Sequence, residues 1–397
     1  MSRVWNEQLK RWTTYPYDLP DEYDFQWSAI FNINRCIACQ TCTMACKSTW
    51  TFGKGQEHMW WNNVSTKPFG DHPRGFDAKL LSMLPKGKTI FEAAPEGERV
   101  LGYIPDDVDY DYPNAFEDST CGPHIGAGQF QEINVSKSQT QDKQWFFYLQ
   151  RICNHCKKPA CLAACPRKAI YKRKEDGIVL IDQERCRGYK KCIMACPYKK
   201  TFYNTFTKTS QKCIGCYPRV EQGETTRCIA ACVGKIRLLG NIEDEKSPIH
   251  YLVHKAKVAL PLYPQFGTEP QIYYIPPRWV NTKFLAMMFG NYDEGKIKHA
   301  VKTYMNARHD VELLGVLQLF GTTQQIIGSY EIINRSNPKE AKVRAFDLKG
   351  QELFVVPIYP KVEVHLTKDE QLNITDAEKL ASLDIRHDTN TPWRNQY

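Results

Sequence analysis

Four tight groups of cysteines constrain this chain more than any other feature. The first group, Cys36, Cys39, Cys42 and Cys46, has the spacing C-x2-C-x2-C-x3-C. The second is Cys153, Cys156, Cys161 and Cys165, followed by Pro166. The third is Cys186, Cys192 and Cys196, followed by Pro197; it keeps the frame of the first but carries Tyr189 at the second position. The fourth is Cys213, Cys216, Cys228 and Cys232, with eleven residues in its middle gap. Together they take up fifteen of the sixteen cysteines and repeat one ligand loop along the chain.

The spacing has a physical reading. Three cysteines two residues apart wrap a tight loop around one iron–sulfur cluster and leave backbone N–H groups near its sulfides. The fourth falls about one turn further on, points away, and ligates the other cluster of a pair. Zinc prefers two C-x2-C pairs, or one pair with two histidines, at longer separation. A zinc-binding structural or nucleic-acid module is therefore the alternative from another class. Covalent c-type haem has no C-x2-C-H to attach to. A disulfide framework suits short secreted chains, not 397 residues with bunched cysteines.

Crossed ligation pairs the groups. The second and third are close in sequence and form one module; the first and fourth form the other, closing around it. Site I would use Cys36, Cys39, Cys42 and Cys232; site II, Cys46, Cys213, Cys216 and Cys228; site III, Cys153, Cys156, Cys161 and Cys196. Site IV has only Cys165, Cys186 and Cys192, with Tyr189 where a fourth thiolate would stand. Three [4Fe–4S] clusters and one [3Fe–4S] cluster follow, with Tyr189 as the determinant of cluster type; a cubane with a phenolate or water ligand is the alternative at site IV. His155, inside the second group, is read as a packing or supporting residue, since four cysteines already suffice there. Cys121 stands alone and is read as a loop or core thiol.

The charge supports this placement. The chain is formally +9, yet residues 151–240 hold 20 Lys and Arg against 6 Asp and Glu, a net of +14 that leaves −5 elsewhere. Clusters with their thiolates are anionic, so basic residues around the cysteines read as local compensation. No nucleic-acid module signature accompanies the charge.

The organisation expected is α+β. Residues 28–47 plus 205–240 make one ferredoxin-like module and 148–204 the other, related by a pseudo-twofold. Residues 1–27 are an N-terminal extension, 48–147 an irregular insertion rich in Gly, Pro and aromatics, and 241–397 a mixed, partly helical interaction region. Trp27 to Asn34 and Ile236 to Leu239 read as strands. Ala169 to Arg173 and Ile178 to Ile181 read as a hairpin with Asp176-Gly177 at its turn. Further on, Lys296 to Leu317 has helical periodicity, Glu352 to Pro357 reads as a strand, and Thr375 to Glu378 fits a capping box. There is no phosphate loop, nucleophile elbow or zinc-protease motif, so no substrate site is expected in this chain.

These residues resemble a known family. Phe31 to Cys46 (F-N-I-N-R-C-I-A-C-Q-T-C-T-M-A-C), Lys47 to Gly55, Trp61 to Pro68, Gly177 to Gly188 and Cys196-Pro-Tyr-Lys-Lys200 look like the beta subunit of nitrite oxidoreductases, relatives of the respiratory nitrate reductase beta subunit. Ala259 to Pro264 and Tyr274 to Pro277 extend the likeness beyond the cysteines. The resemblance implies an electron-transfer subunit with the cluster set derived above. It implies a partner carrying a molybdenum bis-pterin cofactor, facing site I, and a haem-bearing partner facing site IV. An aromatic at Tyr189 fits the family pattern, where Trp is common. Beta subunits of nitrate, chlorate, perchlorate, selenate, dimethyl sulfide and ethylbenzene enzymes share the frame and are the alternatives.

Neither an apolar run after the early basic residues nor a stretch of about eighteen apolar residues occurs, so no signal peptide and no membrane span are expected. Family members can be exported folded with a partner. The location implied is therefore membrane-associated through partners and extracytoplasmic, with the cytoplasmic face as the alternative.

Overall fold

In the computed structural model, described over residues 2–16, 23, 25–68, 81–93, 145–337 and 340–359, helices and strands are mixed. Its centre is a four-stranded sheet. Trp27–Asn32 is buried at every position and lies between two neighbours. On one side it pairs antiparallel with Arg237–Asn241, and on the other parallel with Ile272–Ile275, which in turn pairs with Leu260–Pro261. A strand hidden on both faces must be largely apolar, as Trp27, Ala29, Ile30 and Phe31 are, while the buried Ser28 and Asn32 donate to the Gln271 and Tyr304 side chains. The first neighbour joins the segment entering the first cysteine group to the segment leaving the fourth.

The strand expected over Trp27 to Asn34 stops at Asn32. The Asn32 side chain accepts from the Asn34 N–H at 3.1 Å and turns the chain into a short 3-10 turn, Ile33–Arg35, which delivers Cys36. The expected hairpin forms as Ile170–Lys172 against Val179–Ile181. Gly177 takes φ +66° at its turn, and a Cβ there would sit 2.6 Å from the Gln26 side-chain oxygen, so the turn demands glycine twice over.

Two expectations need correction. The insertion is not irregular at its ends: the helix carrying the first group runs on from Thr41 to Trp50, and Asn62–Pro68 pairs over seven residues with Phe146–Ile152. The single helical stretch expected over Lys296 to Leu317 is two helices, Glu294–Met305 and Val311–Gln318. Asp310 caps the second by accepting from the N–H groups of Glu312 and Leu313, and a residue with a capping backbone cannot also sit in a helix interior. The strand Glu352–Pro357 is present as read, on the edge of a three-stranded sheet with Lys342–Phe346 and Ser329–Ile333. Cys121 and Thr375 to Glu378 lie outside the described residues.

Candidate electron-transfer site

Each ligand loop is built the same way. The residue just before the second ligand position adopts a left-handed backbone in all four: Ala38 (φ 54°), His155 (φ 41°), Gly188 (φ 67°) and Gly215 (φ 64°). That conformation turns the chain tightly enough for both flanking ligands to face one point. It is costly for Ala and His, so the surroundings must impose it there. Tyr189 occupies the same frame as Cys39, Cys156 and Cys216. A second left-handed residue recurs three positions after the last cysteine of three groups: Lys168, Lys199 and Lys235, whose N–H groups bond back to the carbonyls of Cys165, Cys196 and Cys232. The sequence offered that signal as lysines at a constant offset, and the motif reading passed over it.

Helices close the loops. Thr41–Trp50 packs on Arg227–Ala230, bringing the first group to the fourth, and Ala160–Ala163 packs on Lys191–Ala195, bringing the second to the third. Three of the cysteine combinations line cavities. Cys36, Cys39, Cys42 and Cys232 line one together with Arg237. Cys153, Cys156, Cys161 and Cys196 line another with His155 and Lys212. Cys165, Cys186 and Cys192 line a third, and Tyr189 stands at its wall, 61% exposed. Cys46, Cys213, Cys216 and Cys228 come together in the interior, close enough that Cys46 is influenced by Cys228 and Cys216, and Cys213 by Cys46 and Cys216.

Their order is legible from which set influences the next. Cys42 of site I acts on Cys228 and Cys46 of site II, and Cys153 of site III acts on Cys213 of site II. Cys161 of site III and Cys192 of site IV pack in one small apolar cluster with Ile170 and Val179, Cys165 lying against it. The four sets therefore run I, II, III, IV.

The donor chemistry fits clusters better than single ions. Among the described residues no group of three or more His, Cys, Asp or Glu converges tightly enough to hold one metal ion; the cysteines ring a space instead. None of the fifteen described cysteines is in a disulfide. Burial pushes the thiols of Cys46, Cys156, Cys161 and Cys213 well up, and neighbouring cysteines add to it. Cys192 and Cys216 are raised to about 11 for the same two reasons. Thiolates in such a place need cationic compensation from what they bind. Cys39, at the surface, is lowered instead: its slight burial is outweighed by the Thr41 hydroxyl and backbone N–H.

N–H and O–H donors already point at the sulfurs. Trp50 Nε1 donates to Cys216 Sγ at 3.2 Å, and the backbone N–H groups of Ala169 and Ser210 donate to Cys165 and Cys186 at 3.3 Å. Arg237 is the strongest of these partners. It is fully buried, donates to Cys42 Sγ at 3.1 Å, and lies 4.4 Å over the Phe31 ring. Burial alone would depress its pKa, but Cys42, Cys228, Cys232 and Cys36 outweigh that and raise it. Arg237 was not singled out from the sequence. Its only signal there was an arginine directly ahead of the apolar pair Leu238-Leu239 in the strand R-L-L-G-N.

A multi-cluster iron–sulfur electron carrier is the class of protein that this fold and these four sets define. Comparison with known proteins places it further. A family model described as a 4Fe-4S dicluster domain matches residues 144–242. The chain is 45% identical over 262 residues to the dimethylsulfide dehydrogenase subunit beta of Rhodovulum sulfidophilum, covering 64% of this chain and 78% of that one. It is 44% identical over 265 residues to the chlorate reductase subunit beta of Ideonella dechloratans (64% and 77% covered). It is also 44% identical over 287 residues to the respiratory nitrate reductase subunit beta of Haloferax mediterranei (66% and 76% covered). The chain belongs to this family of oxidoreductase beta subunits, and it is an iron–sulfur electron-transfer subunit.

Proposed function

We propose that this chain relays electrons through three [4Fe–4S] clusters at sites I to III and one [3Fe–4S] cluster at site IV, between a molybdenum-pterin subunit that oxidises nitrite and a haem-bearing acceptor. The observation that carries the reading is the row of four cysteine sets, each with the composition that crossed ligation requires. The two modules are 28–47 with 205–240 and 148–204, related by a pseudo-twofold; the helix pairs that join the first group to the fourth and the second to the third support that division. Site IV carries the three-iron cluster because Tyr189 stands where the other loops place Cys39, Cys156 and Cys216.

Site I faces the molybdenum subunit and site IV the haem partner. The surface at the two ends differs in a way that supports this orientation. Around site I, Ile37 (65%), Met44 (55%) and Val233 (53%) are exposed, the apolar character of a lasting interface. Around site IV, Tyr189 (61%) and Met194 (40%) are exposed too, but they stand among the exposed cations Arg167, Arg187, Lys190 and Lys191, which suits a charge-steered encounter. Among the described residues no helix is long and apolar enough to cross a membrane, and membrane association on the extracytoplasmic side is through partners. Nitrite is favoured as the substrate because the N-terminal extension resembles that of the nitrite-oxidising group and the insertion before the second cysteine group is shorter than in membrane-bound nitrate reductases.

The test is anaerobic addition of nitrite to the purified complex, with molybdenum assayed in the same sample. Reduction of the clusters by nitrite is the expected result. A molybdenum-containing complex that nitrite leaves oxidised, and that dimethyl sulfide reduces or chlorate or selenate reoxidises, contradicts the nitrite assignment and selects an alternative.

A further inference from the structure

His155 lies between two ligands of site III, is 1% exposed, and lines the cavity that Cys153, Cys156, Cys161 and Cys196 surround. Its backbone is held left-handed at φ 41°, a cost that a glycine, as at Gly188 and Gly215, would avoid. The ring is fixed from two sides. Nδ1 accepts the Val179 backbone N–H at 3.1 Å, and the Trp27 ring meets it edge-on with centroids 4.9 Å apart. Because Nδ1 is the acceptor, the proton of the neutral ring must sit on Nε2. That Nε2–H is buried and has no hydrogen-bond partner among the described residues. Leaving a buried donor unmatched costs about 1–3 kcal/mol, which a loop built to this precision would not spend on packing alone.

We infer that His155 donates its Nε2–H to a sulfur of the cluster at site III and so sets that cluster's potential above what the thiolates alone would give. The inference rests on the four-cluster reading. A hydrogen bond to cluster sulfur stabilises the reduced, more negative state, so losing it lowers the potential. His155 is a positioning and tuning residue in this account, not a ligand.

The test is an EPR-monitored redox titration of the intact complex carrying His155→Phe or His155→Gln, with iron counted in each sample. His155→Phe should move one [4Fe–4S] couple to lower potential and leave the other three where they were. His155→Gln keeps an N–H donor and should restore part of that shift. Wild-type potentials in both variants, equal shifts in both, or loss of the cluster from both would overturn the inference. A second readout needs no variant: nitrogen-labelled histidine in the wild-type complex should give a histidine nitrogen coupling at one reduced cubane, and its absence overturns the inference too. Wild-type protein without iron or cluster signals would instead defeat the four-cluster reading itself, so the two failures are distinguishable.

Discussion

The two ends of the row of cysteine sets place their cations in opposite ways. At site I the cation is inside: Arg237 is fully buried, bonded to Cys42 and Asn62, and stacked on Phe31. At site IV the cations are outside: Arg167, Arg187, Lys190 and Lys191 are all exposed, with Lys190 lying 4.2 Å over the Tyr203 ring. A buried charge acts through a medium of low effective dielectric and is screened little by salt, whereas exposed charges are screened within about a Debye length. The same net +14 therefore does two jobs. Under the proposed function, the fixed interior charge would tune potentials and the surface charge would govern how a partner is met. A formal charge count cannot separate the two roles; burial does.

Changes along the row sharpen this contrast. The largest effect should come from Cys196→Ala, which removes a ligand of site III and interrupts the row between its ends. Turnover with the haem acceptor should fall to background while molybdenum content is kept; unchanged turnover would break the linear order. Next, Arg237→Gln should cost about 3–5 kcal/mol of stability, the usual price of stranding buried partners, read from a denaturation midpoint. It should also lower the potentials of the couples at sites I and II and leave site IV unmoved. Tyr189→Cys supplies the missing thiolate and should convert the three-iron cluster to a cubane, read as loss of the oxidised-state EPR signal and about one more iron per chain. The smallest effect on the chain itself should come from the double change Lys190→Gln with Lys191→Gln: stability within about 0.5 kcal/mol, all potentials close to wild type, and a weaker salt dependence of electron transfer to the acceptor. A large shift in the site IV potential from that pair would erase the distinction between the ends.

The grouping of the cysteines and their loops was readable because the spacing is local and rigid. Cys36 to Cys46 announces its loop, and Asp176-Gly177 announces the hairpin that separates two groups. What escaped was what depends on distant chain. The parallel pairing of Ile272–Ile275 with Trp27–Asn32 joins residues 243 positions apart, as Ala29 with Ile272, and no local pattern encodes a partner. The same tail also holds site III, through Lys157 and Lys158 N–H bonds to the carbonyls of Glu269 and Thr268 and the Gln271 N–H bond to Asn154, so its first part belongs to the cluster framework as much as to any interaction region. Left-handed turns at Gly188 and Gly215 could be suspected from glycine; those at Ala38 and His155 could not, since tertiary context imposes them. Arg237 escaped because its role follows from burial between two sites. The break at Asp310, by contrast, was available: an Asp ahead of an apolar helical run is a capping signal that the longer periodicity obscured.

Low-temperature EPR of the anaerobically purified complex, in oxidised and reduced states with cluster iron counted per beta chain, tests the account most directly. A [3Fe–4S] signal on oxidation, cubane signals on reduction and about fifteen irons for the four sites together are predicted. About sixteen irons with no three-iron signal would contradict the role given to Tyr189, and zinc in place of iron would contradict the account as a whole.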